Sequence, residues 1–179
     1  VQGQEADGAL GLLALDAAVH VAAPDGERKV EAKDFFKGPG ITVLSNDEIV
    51  IGFTVHVPPG GTDTCFISVG RTALDISTVS IAVALETEGD RVKEARVALG
   101  GVAPTPLRLT CVEEHLKGKR LTKTLIEDAA RMVSEGIQPI TDIRGTAEYR
   151  RRAARGLTAE ALTRAWREGG SQRLSLIHI

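Results

Sequence analysis

The side chains best suited to chemistry in this sequence are four histidines and two cysteines. His20 and His56 alternate with valines, which is typical of strand residues, and acid–base work would require a carboxylate partner in space. Cys65 and Cys111 lie far apart without CxxC spacing, so this chain cannot supply four thiolates for an iron–sulfur cluster or a paired zinc site. We expect both thiols to be reduced, as in a cytoplasmic protein.

Two segments in the second half of the chain are more informative than these single residues. Residues 100–108 read GGVAPTPLR, and residues 142–151 read DIRGTAEYRR. No helix follows the Gly-Gly pair, so it is not the turn that places a pyrophosphate on a helix N-terminus. Its glycines permit a flat ligand to approach the backbone closely. The residues alone leave a plain turn equally open.

A local basic cluster comprises Arg150, Arg151, Arg152 and Arg155. Nucleic-acid binding needs such charge repeated along the chain, with aromatic residues for stacking. Aromatic residues make up only 3% of this chain, and its net charge is −2. We therefore interpret the cluster as a solvated helix face or as a docking surface for an acidic partner.

Hydrophobic patterning and turn residues predict the elements that position these segments. An apolar run predicts a helix over 9–15, and Thr122 is the predicted N-cap of a helix that ends near residue 135. Two further helices are predicted, from about 146 to 155 and from Thr158 onward. The predicted strands are 18–22, 49–57, 64–69, 78–86 and 92–99. Pro58-Pro59-Gly60-Gly61 is the strongest predicted internal boundary.

Five segments, in order, resemble the flavoprotein subunit of molybdenum hydroxylases, the family of carbon monoxide dehydrogenase and xanthine dehydrogenase. They are residues 7–17, 34–49, 71–80, 100–106 and 144–151. The resemblance implies an α+β fold. The C-terminal part of a p-cresol-methylhydroxylase-type FAD-binding domain would be followed by a carbon monoxide dehydrogenase flavoprotein C-terminal-like domain. That second domain would be a three-stranded antiparallel sheet with helices.

The domain boundaries predicted on this basis are 1–57 for the FAD-binding part and 62–167 for the second domain. Residues 168–179 are predicted to be a non-native tail. Because the chain begins with Val1, we expect it to be an N-terminally truncated form that lacks the Gly-rich loops of the family.

The function that the resemblance implies is electron transfer by FAD in a molybdopterin-dependent oxidoreductase. FAD would relay electrons from [2Fe-2S] clusters to an external acceptor. The clusters would lie on a small iron–sulfur partner subunit, and molybdopterin on a large one. Asp7 would contact the flavin and Ala95 would pack on the isoalloxazine ring, while no catalytic proton-transfer residue and no metal ligand is assigned. The alternatives are a non-catalytic interaction module and a flavin oxidase without molybdenum partners.

Overall fold

A computed structural model describes residues 6–60, 62–70 and 76–170 of the chain. Residues 71–75, in the third of the five segments that carry the resemblance, and residues 171–179 of the predicted tail lie outside the described residues. The elements of the first part are α1 (Ala6–Ala14), β1 (Ala18–Ala23), β2 (Gly26–Glu31), α2 (Ala32–Phe35), β3 (Phe36–Gly38), β4 (Ile41–Thr42) and β5 (Ile49–Thr54). Those of the second are β6 (Thr62–Val69), β7 (Val79–Glu88), β8 (Arg91–Gly100), β9 (Leu107–Arg108), α3 (Thr110–Leu116), α4 (Lys123–Gly136) and α5 (Ala147–Gly170).

The strands form one sheet in each part of the chain and a small additional pair. The first sheet has the order β2-β1-β5, and the second has the order β6-β7-β8-β9, with antiparallel neighbours throughout. β3 pairs with β4 separately. The predicted α+β class is confirmed, and the predicted three-stranded sheet carries a two-residue fourth strand, β9, at its edge.

Both faces of the second sheet are packed against helices. Alternate residues of its central strands point to opposite sides, and the residues on each side are buried. Val79, Ile81, Val83 and Leu85 of β7 belong to the main core, which also contains buried residues of α3, α4 and α5. Ala82 and Ala98 of β7 and β8 belong instead to a smaller core with Leu10 and Leu13 of α1. The small alanines let α1, from the first part of the chain, pack closely on this sheet.

α4 confirms the helix that the sequence predicts. The Thr122 side chain accepts a hydrogen bond from the Leu125 backbone N–H at 3.2 Å, as an N-cap does. The predicted apolar face is buried in full: Leu125, Ile126, Ala129, Ala130 and Val133.

The prediction of two helices after residue 146 is wrong, because α5 is continuous from Ala147 to Gly170. Thr158, the predicted cap, is fully buried within the helix, and its hydroxyl donates to the Ala154 carbonyl at 2.7 Å. This bond to the preceding turn satisfies the hydroxyl without ending the helix.

The C-terminal end of α1 is tied to the second sheet by charged side chains. Asp16 ends the helix with φ of +47°, a left-handed conformation that aspartate tolerates. Its carboxylate forms ion pairs with Arg96 of β8, at 2.5 Å, and with Arg108 of β9. Arg108 in turn donates to both oxygens of Glu113, at 2.7 and 3.1 Å. Glu113 also accepts the Val97 backbone N–H at 2.8 Å.

We predict that Glu113→Ala lowers the free energy of unfolding by about 2 kcal/mol, because it leaves the buried Val97 N–H without its side-chain acceptor and removes one of the two carboxylates that bind Arg108. Glu114→Ala is the matched control, since Glu114 is exposed on the same helix. Urea unfolding monitored by circular dichroism measures both. An equal loss for the two variants would show that the Glu113 contacts contribute nothing.

Candidate functional site

The two segments singled out in the sequence meet at the side chain of Arg150. This residue is 2% exposed. Its Nη1 donates to the Thr78 carbonyl at 2.5 Å and to the Gly101 carbonyl at 2.8 Å. Its Nη2 donates to Asp142 Oδ1 at 2.6 Å. One guanidinium therefore joins the start of β7, the end of β8 and the loop before α5, and we call this set of contacts the Arg150 clamp.

Asp142 is the anionic member of the Arg150 clamp. Besides Arg150, it accepts the Arg144 backbone N–H at 2.9 Å and the Arg144 side chain at 2.8 and 3.1 Å. Burial raises the pKa of Asp142, but the hydrogen bonds from Arg144 and Arg150 together outweigh it and hold that pKa well below its ordinary range. The carboxylate is therefore charged at neutral pH and balances the buried Arg150.

Gly101 can only be glycine in this arrangement. Its φ is +74°, and a Cβ at this position would lie 2.4 Å from the Thr78 carbonyl oxygen and 3.1 Å from Arg150 Nη1. The close approach of the chain at Gly101 is thus to the protein's own backbone. Two interpretations were open for the Gly-Gly pair, a plain turn and a ligand loop. The contacts of Gly101 with Thr78 and Arg150 support the plain turn.

The interpretation of the basic cluster is wrong for Arg150, which is buried, whereas Arg151, Arg152 and Arg155 are exposed on α5. A helix turns about 100° per residue, so consecutive arginines point in different directions. The signal in the sequence was the acidic Asp142 eight residues earlier, just before the helix start. Only the fold shows that the intervening loop brings it back to Arg150.

Asp7 lies in the first turn of α1, with an exposed side chain. The Ser77 hydroxyl lies 3.4 Å from both of its carboxylate oxygens and donates to them. Ser77 directly precedes Thr78, whose carbonyl is held in the Arg150 clamp. No local sequence pattern indicates Ser77 as a partner of Asp7, since the two residues are 70 positions apart.

Ala95 lies elsewhere. Its side chain is 3% exposed in the main core, opposite Leu85 of β7. This is the sheet face turned away from α1, so the structure does not bring Ala95 and Asp7 together. The predicted contact of Ala95 with the isoalloxazine ring stays a prediction.

The histidines and cysteines form no reactive cluster in the part of the chain that the structure describes. His20 Nε2 lies 2.6 Å from the Thr54 hydroxyl. His115 Nδ1 lies 3.3 Å from Lys119 Nζ. Among residues 6–60, 62–70 and 76–170, no group of three or more metal-binding side chains comes together. No helix within these ranges has the length and apolar character needed to cross a membrane.

Two family models match the chain in succession. Residues 2–59 match the FAD binding domain in molybdopterin dehydrogenase, and residues 64–165 match the CO dehydrogenase flavoprotein C-terminal domain. In the structure the first of these stretches contributes α1, which packs on the sheet of the second. These matches and the fold define the class: a stretch similar to an FAD-binding domain, followed by a CO dehydrogenase flavoprotein C-terminal domain. The chain belongs to the family of the CO dehydrogenase flavoprotein C-terminal domain.

Relatives of known identity support this assignment. The chain is 37% identical over 150 residues to the glyceraldehyde dehydrogenase medium chain of Sulfolobus acidocaldarius, covering 84% of this chain and 53% of the relative. It is 32% identical to the carbon monoxide dehydrogenase medium chain of Hydrogenophaga pseudoflava, covering 86% and 54%. A solved structure of carbon monoxide dehydrogenase from Hydrogenophaga pseudoflava matches with a TM-score of 0.87 and 32% identity, covering 90% of this chain and 56% of that chain. The chain thus spans about half the length of these relatives.

We predict that Gly101→Ala lowers the free energy of unfolding by more than about 2 kcal/mol, because the left-handed backbone and the overlap with the Thr78 carbonyl both oppose a Cβ. Gly118→Ala is the control: its φ is +75° but a Cβ there meets no atom within 4 Å. It should lose only about 1 kcal/mol, the cost of the backbone conformation alone. Equal losses in chemical denaturation would mean that the contact with Thr78 is relieved without cost.

We also predict an acid-sensitive contribution from Asp142. Its folded-state pKa is lowered, so its stabilisation is complete above the unfolded pKa of about 3.9 and is lost as the pH falls further. The difference in unfolding free energy between wild type and Asp142→Asn should therefore shrink as the pH is lowered from about 6 to about 3. The first value lies about two units above the unfolded-state pKa and the second about one unit below it. Thermal unfolding across this range measures the gap. A gap that stays constant would contradict the assignment of a charged Asp142 in the clamp.

Proposed function

We propose that this chain forms the flavin-covering part of the medium subunit of a molybdopterin-dependent dehydrogenase. The observation that supports the proposal is the junction at α1. A helix from the stretch that matches an FAD-binding domain packs on the sheet of the flavoprotein C-terminal domain. The exposed carboxylate of Asp7 stands at the start of that helix. A cofactor held by the first domain would meet the second domain along this edge.

The side chains at the junction fit a flavin chemically. The pyrimidine edge of the isoalloxazine ring carries an N–H donor between two carbonyl acceptors. The Asp7 carboxylate can accept a hydrogen bond, and the Ser77 hydroxyl, 3.4 Å from it, can donate one. Asp7 is exposed, so it can take a further donor. We therefore propose Asp7 as a flavin contact at this junction. The contact of Ala95, which lies in the main core on the other face of the sheet, is a separate proposal.

Bound FAD would supply two-electron and one-electron chemistry, and the protein's own part is to bind and orient it. We propose that electrons arrive from [2Fe-2S] clusters on a small partner subunit, downstream of molybdopterin on a large one, and leave to an external acceptor. The matched relatives are named medium chains, which accords with a three-chain assembly. We also propose a cytoplasmic location, where Cys65 and Cys111 would both be reduced thiols.

The test is flavin content of the subunit, expressed from its complete reading frame together with its partner chains. The wild-type complex should purify yellow. Asp7→Ala should weaken FAD binding about tenfold, the effect of losing one hydrogen bond to a charged group. FAD titration into the cofactor-free complex measures this affinity.

Asp25→Ala is the matched control, because Asp25 is an exposed aspartate in the turn between β1 and β2. It removes the same charge outside α1 and should leave FAD affinity unchanged. A colourless wild-type complex would contradict the proposed function and favour an interaction module. Flavin bound without molybdenum or iron in the purified complex would favour a flavin oxidase.

A further inference from the structure

The main ladder between the two long strands of the second sheet ends before the Arg150 clamp is reached. Ser80 of β7 and Gly100 of β8 are the last paired residues at this end. Beyond them, the Thr78 and Gly101 carbonyl oxygens both accept from the same atom, Arg150 Nη1. Two carbonyl dipoles that converge on one point would repel each other without a donor between them. Arg150 therefore acts as a side-chain rung that closes the end of the ladder.

Ser77 is adjacent in the chain to Thr78, whose carbonyl Arg150 holds. Thr78 is fixed on its other side by its N–H, which donates to the Val69 carbonyl at 2.6 Å. Ser77 is the next residue along the chain, and its hydroxyl contacts Asp7. The path from Arg150 to Asp7 thus consists of two hydrogen bonds, one at the Thr78 carbonyl and one at the Ser77 hydroxyl, joined by the backbone of these two adjacent residues.

We infer that Arg150 is a positioning residue for the flavin site, which sets the placement of Ser77 and through it of Asp7. The inference rests on the proposed function of Asp7 as a flavin contact. A planar guanidinium can hold two carbonyls and a carboxylate at fixed angles, whereas a lysine ammonium is a point charge on a flexible stem. The planar shape of the guanidinium, in addition to its charge, is what positions Ser77.

The test compares Arg150→Lys with Arg151→Lys in the complete complex with its partner chains. Arg151 is exposed on the same helix, so its replacement controls for the loss of one guanidinium. Arg150→Lys should raise the Kd for FAD about tenfold and shift the midpoint potential of the bound flavin. Arg151→Lys should change neither.

A double-mutant cycle separates positioning from general stability. In an Asp7→Ala background, Arg150→Lys should have little further effect on FAD affinity, because its route to the flavin is already cut. Additive effects, or a loss of stability with unchanged Kd and potential, would overturn the inference. A wild-type complex that purifies without bound FAD would instead overturn the proposed function. Failure of the inference and failure of the proposed function therefore give different results.

A second variant keeps the inference testable if Arg150→Lys does not fold. Asp142→Asn retains Arg150 and the shape of its partner but removes the charge that anchors the guanidinium. It should give a smaller rise in the Kd for FAD in the same direction, again absent in the Asp7→Ala background. An unchanged Kd in this soluble variant would overturn the inference.

Discussion

A buried guanidinium charge governs the architecture around the second sheet. A guanidinium group is always charged in proteins, so burying one requires acceptors and a compensating anion. The fold provides them from three places: the start of β7, the end of β8 and Asp142 in the loop before α5. The two carbonyl groups and the carboxylate must all lie within hydrogen-bond distance of the guanidinium at the same time. The left-handed Gly101 and the tight turn between Asp142 and Gly145 are compatible with that requirement.

A second charged network fixes the part of the chain that precedes this sheet. Arg108 is bound to Asp16 at the end of α1 and to Glu113 of α3, on opposite sides of the strand edge. α1 therefore does not rest on the sheet through apolar contact alone. The small residues Ala82 and Ala98 admit the helix, and the ion pairs determine where along the sheet it stops. Apolar packing thus sets the distance between α1 and the sheet, and the ion pairs set the position of α1 along it.

The sequence predicted the elements whose cause is local. Thr122 begins α4 because its hydroxyl satisfies the helix N-terminus, and β7 and β8 flank a Gly-Asp turn. The same rules do not predict the continuity of α5. A threonine at position 158 favours a helix N-cap, unless its hydroxyl donates to a carbonyl of the preceding turn, as it does here to Ala154. The Arg150 clamp and the Asp7–Ser77 contact depend on pairs 72 and 70 residues apart. No local pattern contains such pairs, so Asp7 was found through the family resemblance and Ser77 through the fold.

The two networks act on opposite ends of the same helix. Asp16, at the C-terminal end of α1, is held by Arg96 and Arg108. Asp7, at the N-terminal end, meets Ser77, whose neighbour Thr78 is held by Arg150. A helix is stiff along its axis, so fixing one end restricts the other to small movements. The exposed carboxylate proposed to face the flavin is then placed by charged groups at a distance from it, which leaves its own surface open to a cofactor.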